Sequence, residues 1–186
     1  MLNGVDHVDV LRQRYDKVVG AAIRVESERV APGLIRQKSP FLRVDMAGAG
    51  EVQAALRQAG IDCHSQTDEV TLLWEKLVFL APVALTTAAF DAPLGVVRGE
   101  PLFGGCFAEA ALAAQAAGAT IDVNAVRDLH NSAPAEMRSS MQKDVAVGVE
   151  PEVAAIAGPI LRLGREQGFS TDSTNTLVDQ IRARLN

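Results

Sequence analysis

Trp74–Phe90 reads WEKLVFLAPVALTTAAF, and in it Glu75 and Lys76 are the only charged residues. Asp68, just upstream, is a favoured N-cap type, so a helix is expected from there toward Ala81, with Pro82 kinking or ending it. Further helices are expected at Pro101–Ala117, Asn124–His130, Pro134–Val147, Pro151–Gln167 and Thr174–Leu185, so the chain from Asp68 onward reads as all-helical. The alanine-rich AEAALAAQAAG, Ala108–Gly118, joins high helix propensity to side chains small enough for close helix packing.

Upstream of Asp68 the pattern is mixed. Val8, Leu11 and Tyr15 fall at helical spacing, whereas VVGAAIRVE, Val18–Glu26, alternates as a strand does. Pro32-Gly33 marks a turn, Leu34–Arg36 and Phe41–Asp45 read as short strands, and Glu51–Ala59 reads as a helix closed by Gly60 before a strand at Ile61–His64. MAGAGEVQAAL begins like the G-x-G-x-x-G dinucleotide fingerprint with Gly48 and Gly50, but Gln53 holds the third position, which leaves a Gly-rich turn. The expected fold class is therefore α+β, mixed over residues 1–67 and helical over 68–186.

Composition narrows the partners. The 186 residues are 48% apolar and 22% charged, an ordinary globular balance. A net charge of −5 and an aromatic content of 4% offer neither a basic field nor stacking platforms, so no nucleic acid is expected. No apolar run approaches the roughly 18 residues of a membrane span and no signal pattern opens the sequence, so a cytoplasmic protein without membrane contact is expected. Cys63 and Cys106 read as reduced packing thiols, and His7, His64 and His130 stand too far apart to suggest a protein-held metal.

Three pieces, in order, resemble one family. LNGVDH (Leu2–His7) is similar to an asparagine-glycine loop, LLWEKL (Leu72–Leu77) to a motif carrying a catalytic lysine, and SSMQKDVAVGVEPEVAAIAG (Ser139–Gly158) to a Ser-Ser-Met-x-x-Asp stretch followed by a glutamate that opens a helix. Pro32-Gly33 and REQGFSTDSTNTL (Arg165–Leu177) extend the match. The family is the ketopantoate reductases, which reduce 2-dehydropantoate to pantoate with NADPH in pantothenate biosynthesis. The resemblance implies the remnant of a Rossmann-like NADPH domain over 1–67. Over 68–186 it implies a helical substrate-binding and dimerisation domain of the 6-phosphogluconate dehydrogenase C-terminal-like type. A homo-oligomer acting on a small 2-keto acid follows from the same resemblance.

The resemblance also assigns roles. Lys76 would donate the proton to the developing alkoxide, since a cation aimed at that oxygen stabilises the transition state more than the substrate. Glu152 would be its catalytic partner and bind the substrate hydroxyl, Ser140 would hydrogen-bond substrate, and Asn3 would stand near both nicotinamide and substrate. One cleft is expected to hold Lys76 and Glu152, with Ser140 at its rim. Each residue also has a plain structural reading: a snorkelling lysine, a first-turn glutamate after Pro151, a local hydroxyl. The family's Gly-rich nucleotide segment precedes its asparagine-glycine loop, so most of the NADPH site is expected to be absent from this sequence and the chain inactive alone. Leu80, Ala84, Ala154 and Ala157 depart from polar family positions and imply a more apolar pocket. Three readings stay open: the C-terminal part of such a reductase, a non-catalytic helical binding or dimerisation module derived from one, or a dehydrogenase of another 2-keto acid.

Overall fold

The computed structural model describes residues 3–38 and 42–185. In chain order the elements are α1 (His7–Arg12), β1 (Ala21–Arg24), β2 (Ser27–Ala31), β3 (Leu34–Gln37), β4 (Arg43–Ala47), α2 (Gly50–Gln58), β5 (Asp62–Gln66), α3 (Glu69–Phe90), α4 (Leu94–Val97), α5 (Pro101–Ala116), α6 (Val123–Ser132), α7 (Ser140–Ala146), α8 (Val153–Gln167) and α9 (Asp172–Leu185). The mixed-then-helical α+β organisation is as expected. Two compact units divide the chain: Val8–Leu73, and Met1–His7 together with Trp74–Asn186.

In the Val8–Leu73 unit, β1 pairs antiparallel with β4 and β4 pairs parallel with β5, which gives the sheet order β1-β4-β5. A parallel pair needs a crossover, and α2 supplies it. Buried Asp45 on β4 accepts from Arg43 Nε at 2.9 Å and Nη2 at 2.7 Å, and from Arg24 Nε at 3.2 Å. Burial opposes its charge, but the hydrogen bonds from Arg43 and Arg24 outweigh that and hold the carboxyl below its ordinary range. β2 and β3 form a separate hairpin around Pro32-Gly33, with Gly33 at φ 78° as the turn requires. Strand β2 escapes sequence reading for a physical reason: nearly all of it is exposed, so no buried face imposes an alternation. Phe41, the expected start of the strand that becomes β4, lies outside the described residues.

The Gly-rich turn between β4 and α2 has its own logic. Gln53 Nε2 reaches back into it and donates to Gly48 O at 2.7 Å and Met46 O at 3.4 Å. Its inner face is thus filled by a buried glutamine amide.

The helical unit is built around α3. Asp68 Oδ1 accepts the Thr71 amide at 3.1 Å, so the helix starts where an aspartate cap was expected. Pro82 does not end it; the helix runs on to Phe90. The missing proline N–H costs about 3 kcal/mol, but Leu77, Val78, Ala81, Leu85 and Ala88 are all essentially inaccessible on both sides of the proline. Burial of such side chains, about 1.5–3 kcal/mol each for the larger ones, outweighs that loss. α3 is long and apolar enough to cross a membrane by length and composition, yet 78% of its most apolar window is buried inside the protein. Helices α5, α8 and α9 pack on this core through Cys106, Ala110, Ala113, Ala114, Ile156, Ile160, Leu177 and Ile181. On α5, a Cβ at Gly105 would overlap the Ser173 side chain of α9, so glycine permits that approach.

The helix expected over Pro134–Val147 is shorter: α7 begins only at Ser140. Before it, the carbonyls of Ala135 and Met137 accept the orphan amides of Gly95 at 2.8 Å and Leu94 at 2.9 Å, at the start of α4. A Cβ at Gly95 would lie 2.7 Å from Ala135 Cβ, so this junction also needs glycine. Helix α4, four residues long, has too little periodicity to be read from sequence.

Candidate functional site

The N-terminus of α7 is fixed against α3 by a chain of hydroxyls. Thr87 Oγ1 donates its one proton to Val83 O at 2.7 Å, so the 2.7 Å contact between Thr87 and Ser139 has Ser139 as donor. Ser139 in turn accepts the Gln142 amide at 3.0 Å and caps α7. Ser140 follows this anchored cap, with its hydroxyl exposed and without a hydrogen bond among the described residues.

At the start of α8, Glu152 is the N-cap residue rather than a member of the first turn. Its carbonyl accepts Ala155 N at 3.1 Å and Ile156 N at 3.3 Å, while its side chain makes no cap bond. The carboxylate is turned outward and accepts Asn3 Nδ2 at 3.0 Å. Asn3 arrives there because the segment after it docks along α8. Gly4, at φ 85°, packs so closely on the Ala155 carbonyl that a Cβ would overlap it, and Asp6 pairs with Arg162 Nη2 at 2.6 Å. The asparagine-glycine loop is therefore seated on the helical unit through three successive contacts.

Asn3, Ser140 and Glu152 line one cleft of about 360 Å³. Leu80 and Ala84 of α3, Met141 of α7 and Ile156 of α8 give it an apolar wall, and Asp144 and Glu150 add two carboxylates to its polar side. Lys76 is not among the lining residues. It is half-buried on α3, one turn before Leu80. Steps of four residues drift by only about 40° around a helix, so Lys76, Leu80 and Ala84 share one stripe of α3. Ala154 and Ala157 do not form the pocket wall expected of them: Ala157 is buried in the helical core, and Ala154 faces outward. Asp144 was missed as a lining residue, although it lies four residues after Ser140 and so on the same face of α7.

Other features are structural. Cys106 is fully buried and its thiol is pushed up to about 12 by burial, so it supplies no thiolate at neutral pH. A larger open groove of about 900 Å³ lies along α5 and α6, lined by residues such as Phe107, Ala111, Leu112 and Ile121, with Arg127 its one ionisable side chain. The smaller cleft brings three carboxylates, an amide and a hydroxyl together, which is the concave, convergent arrangement that chemistry needs.

Residues 70–185 match the family described as ketopantoate reductase PanE/ApbA, C-terminal. A 2-dehydropantoate 2-reductase of Caulobacter vibrioides is 27% identical over 191 residues, covering 97% of this chain and 66% of that protein. The chain spans 64–67% of the length of the curated relatives it matches. Among solved structures, a PanE/ApbA family ketopantoate reductase from Ralstonia eutropha JMP134 superposes with a TM-score of 0.87 at 25% identity, over 98% of this chain and 64% of that one. A D-mandelate dehydrogenase in complex with NADH, 18% identical, shares the fold with a TM-score of 0.88 over 100% of this chain and 68% of that one. With the match extending over the whole helical part from α3 to α9, the chain belongs to the ketopantoate reductase family and carries its C-terminal domain.

Proposed function

We propose that this chain forms the substrate-holding part of an NADPH-dependent reductase of small 2-oxo acids, with 2-dehydropantoate as the reference substrate. The observation that carries the reading is the Asn3–Glu152 hydrogen bond inside a cleft that Ser140 also lines, beneath the α3 stripe bearing Lys76. Lys76 Nζ acts as the proton donor to the ketone oxygen as it becomes a hydroxyl. Glu152, oriented by Asn3, takes the substrate's polar groups, and Ser140 adds a hydrogen bond. With Asp144, Glu150 and Glu152 on the polar side, the substrate carboxylate is best accommodated toward Lys76.

NADPH would supply the hydride. The Gly-rich turn between β4 and α2 does not fit its pyrophosphate, because Gln53 already fills the inner face. We also read the protein as a homo-oligomer, supported by the hairpin side chains Val30, Leu34 and Ile35, which are 46%, 55% and 62% exposed. Light scattering checks this, and a monomer at all micromolar concentrations contradicts it.

The cleft assignment is tested by titrating ketopantoate into isotopically labelled protein. Shifts are expected at the Asn3 side-chain amide and at Ser140, and not at Gly104 or Leu112 in the larger groove. Lys76→Ala is expected to weaken binding about tenfold or more, as loss of a charged hydrogen-bond donor does. Shifts confined to the α5–α6 groove, or unchanged affinity in Lys76→Ala, contradict the reading.

A further inference from the structure

We infer that the open groove along α5 and α6 is a second binding site, for a small monocarboxylate with an unbranched apolar chain, whose carboxylate pairs with Arg127 while its chain lies along α5. The groove shares no lining residue with the cleft described above, so the inference stands apart from the reductase reading. Its floor is a stripe of α5. Gly104, Ala108, Ala111 and Gln115 recur at helical spacing and face the same way. Three of the four side chains are minimal, which keeps the stripe low. At Gly104 a Cβ would meet nothing within 4 Å, so no neighbour requires the glycine and the space above it is open. Ile121 and Val123, half-buried, form the opposite wall.

The guanidinium of Arg127 stands over the Phe107 ring, 5.8 Å from its centroid. Stacking leaves the N–H edge of a guanidinium open, and that edge is the fork that matches a carboxylate. Among the described residues no hydrogen bond or ion pair takes it up. One turn away on α6 stand Val123, Asn124, His130 and Asn131, none of them acidic. An unengaged guanidinium beside an apolar groove is complementary to an anion with a hydrocarbon body. From Phe107 to Gln115, α5 rises about 12 Å past Ala111 and Leu112, which sets the length of that body. A volume of about 900 Å³, with apolar walls and few polar groups, lies in the range of small-molecule sites.

The experiment titrates octanoate into the isotopically labelled 186-residue chain and reads the shifts. Saturable binding with a dissociation constant on the order of 100 μM is expected. The shifts are expected at the amides of Ala108, Leu112 and Ile121, and at the ring of His130, which meets Phe107 edge-on at 5.2 Å. Acetate, which lacks the chain, and 1-octanol, which lacks the charge, are each expected to bind at least about tenfold more weakly. Arg127 is exposed, so Arg127→Gln is expected to keep the parent circular dichroism, to weaken octanoate about tenfold and to leave 1-octanol unchanged. Unchanged octanoate affinity in Arg127→Gln overturns the inference. Shifts confined to Asn3 and Ser140 overturn it too, and leave the reductase reading standing. A third outcome would assign the groove to a second copy of the chain: groove amides unmoved by octanoate, with Leu112→Asp halving the mass seen by light scattering. That result also overturns the inference.

Discussion

His130 is 2% exposed, stacked on Phe79 at 4.8 Å with the rings of Phe103 and Phe107 edge-on at 5.1 and 5.2 Å. The Phe79 carbonyl, 2.8 Å from Nε2, fixes the tautomer with the proton on that nitrogen. Desolvation lowers its pKa below the ordinary 6.5, the carbonyl contact opposes this in part, and Arg98 adds to the lowering. The unfolded chain therefore binds the proton more readily than the fold does. The stability this residue contributes is complete above pH 6.5 and is lost as pH falls through the lower, folded value. Urea midpoints are expected to drop on acidification below pH 6.5, with a shallower slope in His130→Phe; an unchanged slope contradicts the assignment. Gly4 makes a second residue-scale case. Its φ of 85° and its contact with the Ala155 carbonyl both exclude a side chain, so Gly4→Ala is expected to lift the loop from α8. Loss of cross-relaxation between the Asn3 amide and Glu152, with global stability nearly intact, is the expected NMR outcome.

At the scale of elements, helix ends decide more than helix bodies. Glu109, on α5, accepts Ser173 N and Thr174 N at 2.8 Å each and Thr174 Oγ1 at 2.6 Å, so a buried carboxylate from one helix caps the start of α9. Glu109→Ala is expected to cost about 2–4 kcal/mol, since it strands two amides and a hydroxyl; denaturant unfolding measures it. Ala49 holds φ 55°, ψ 56° before α2, a left-handed conformation that costs a β-carbon about 1–2 kcal/mol. Ala49→Gly is expected to raise stability by up to about 1 kcal/mol. The same emphasis on ends explains what the sequence revealed of the fold. The bodies of α3, α5, α8 and α9 follow from composition and period, and Asp68 and Gly60 act as the start and stop signals, respectively, that they resemble. Pro82 misleads because tertiary burial on both sides outweighs a local cost. Residues 134–139 mislead because their carbonyls serve α4, a partner some forty residues away that no local rule contains.

For the whole molecule, the lining of the candidate cleft was legible at Asn3, Ser140, Glu152, Leu80 and Ala84, whereas Lys76, expected in it, stands outside it. Asn3, Ser140 and Glu152 stand far apart in sequence and meet in one cleft, whereas Met141, Glu150 and Ile156 enter it only through the way α7, α8 and their connection pack. Nucleotide binding tests the same contrast between motif and packing. A pyrophosphate is held where glycines let backbone amides at a helix N-terminus point into an open turn. Here the turn after β4 has Gly48 and Gly50, but Gln53 donates to the Gly48 and Met46 carbonyls from within, and Ala49 puts a β-carbon on the loop. The position that would receive phosphate oxygens is occupied by an amide already paired with backbone. The 186-residue chain is therefore expected to bind NADPH more weakly than about 100 μM, a binding free energy near −5.5 kcal/mol, and to show no NADPH oxidation with ketopantoate. Calorimetry and absorbance at the nicotinamide band measure both. Micromolar binding accompanied by shifts at Gly48 and Gln53 would mean that the turn opens for phosphate, and would reverse the structural reading of that turn.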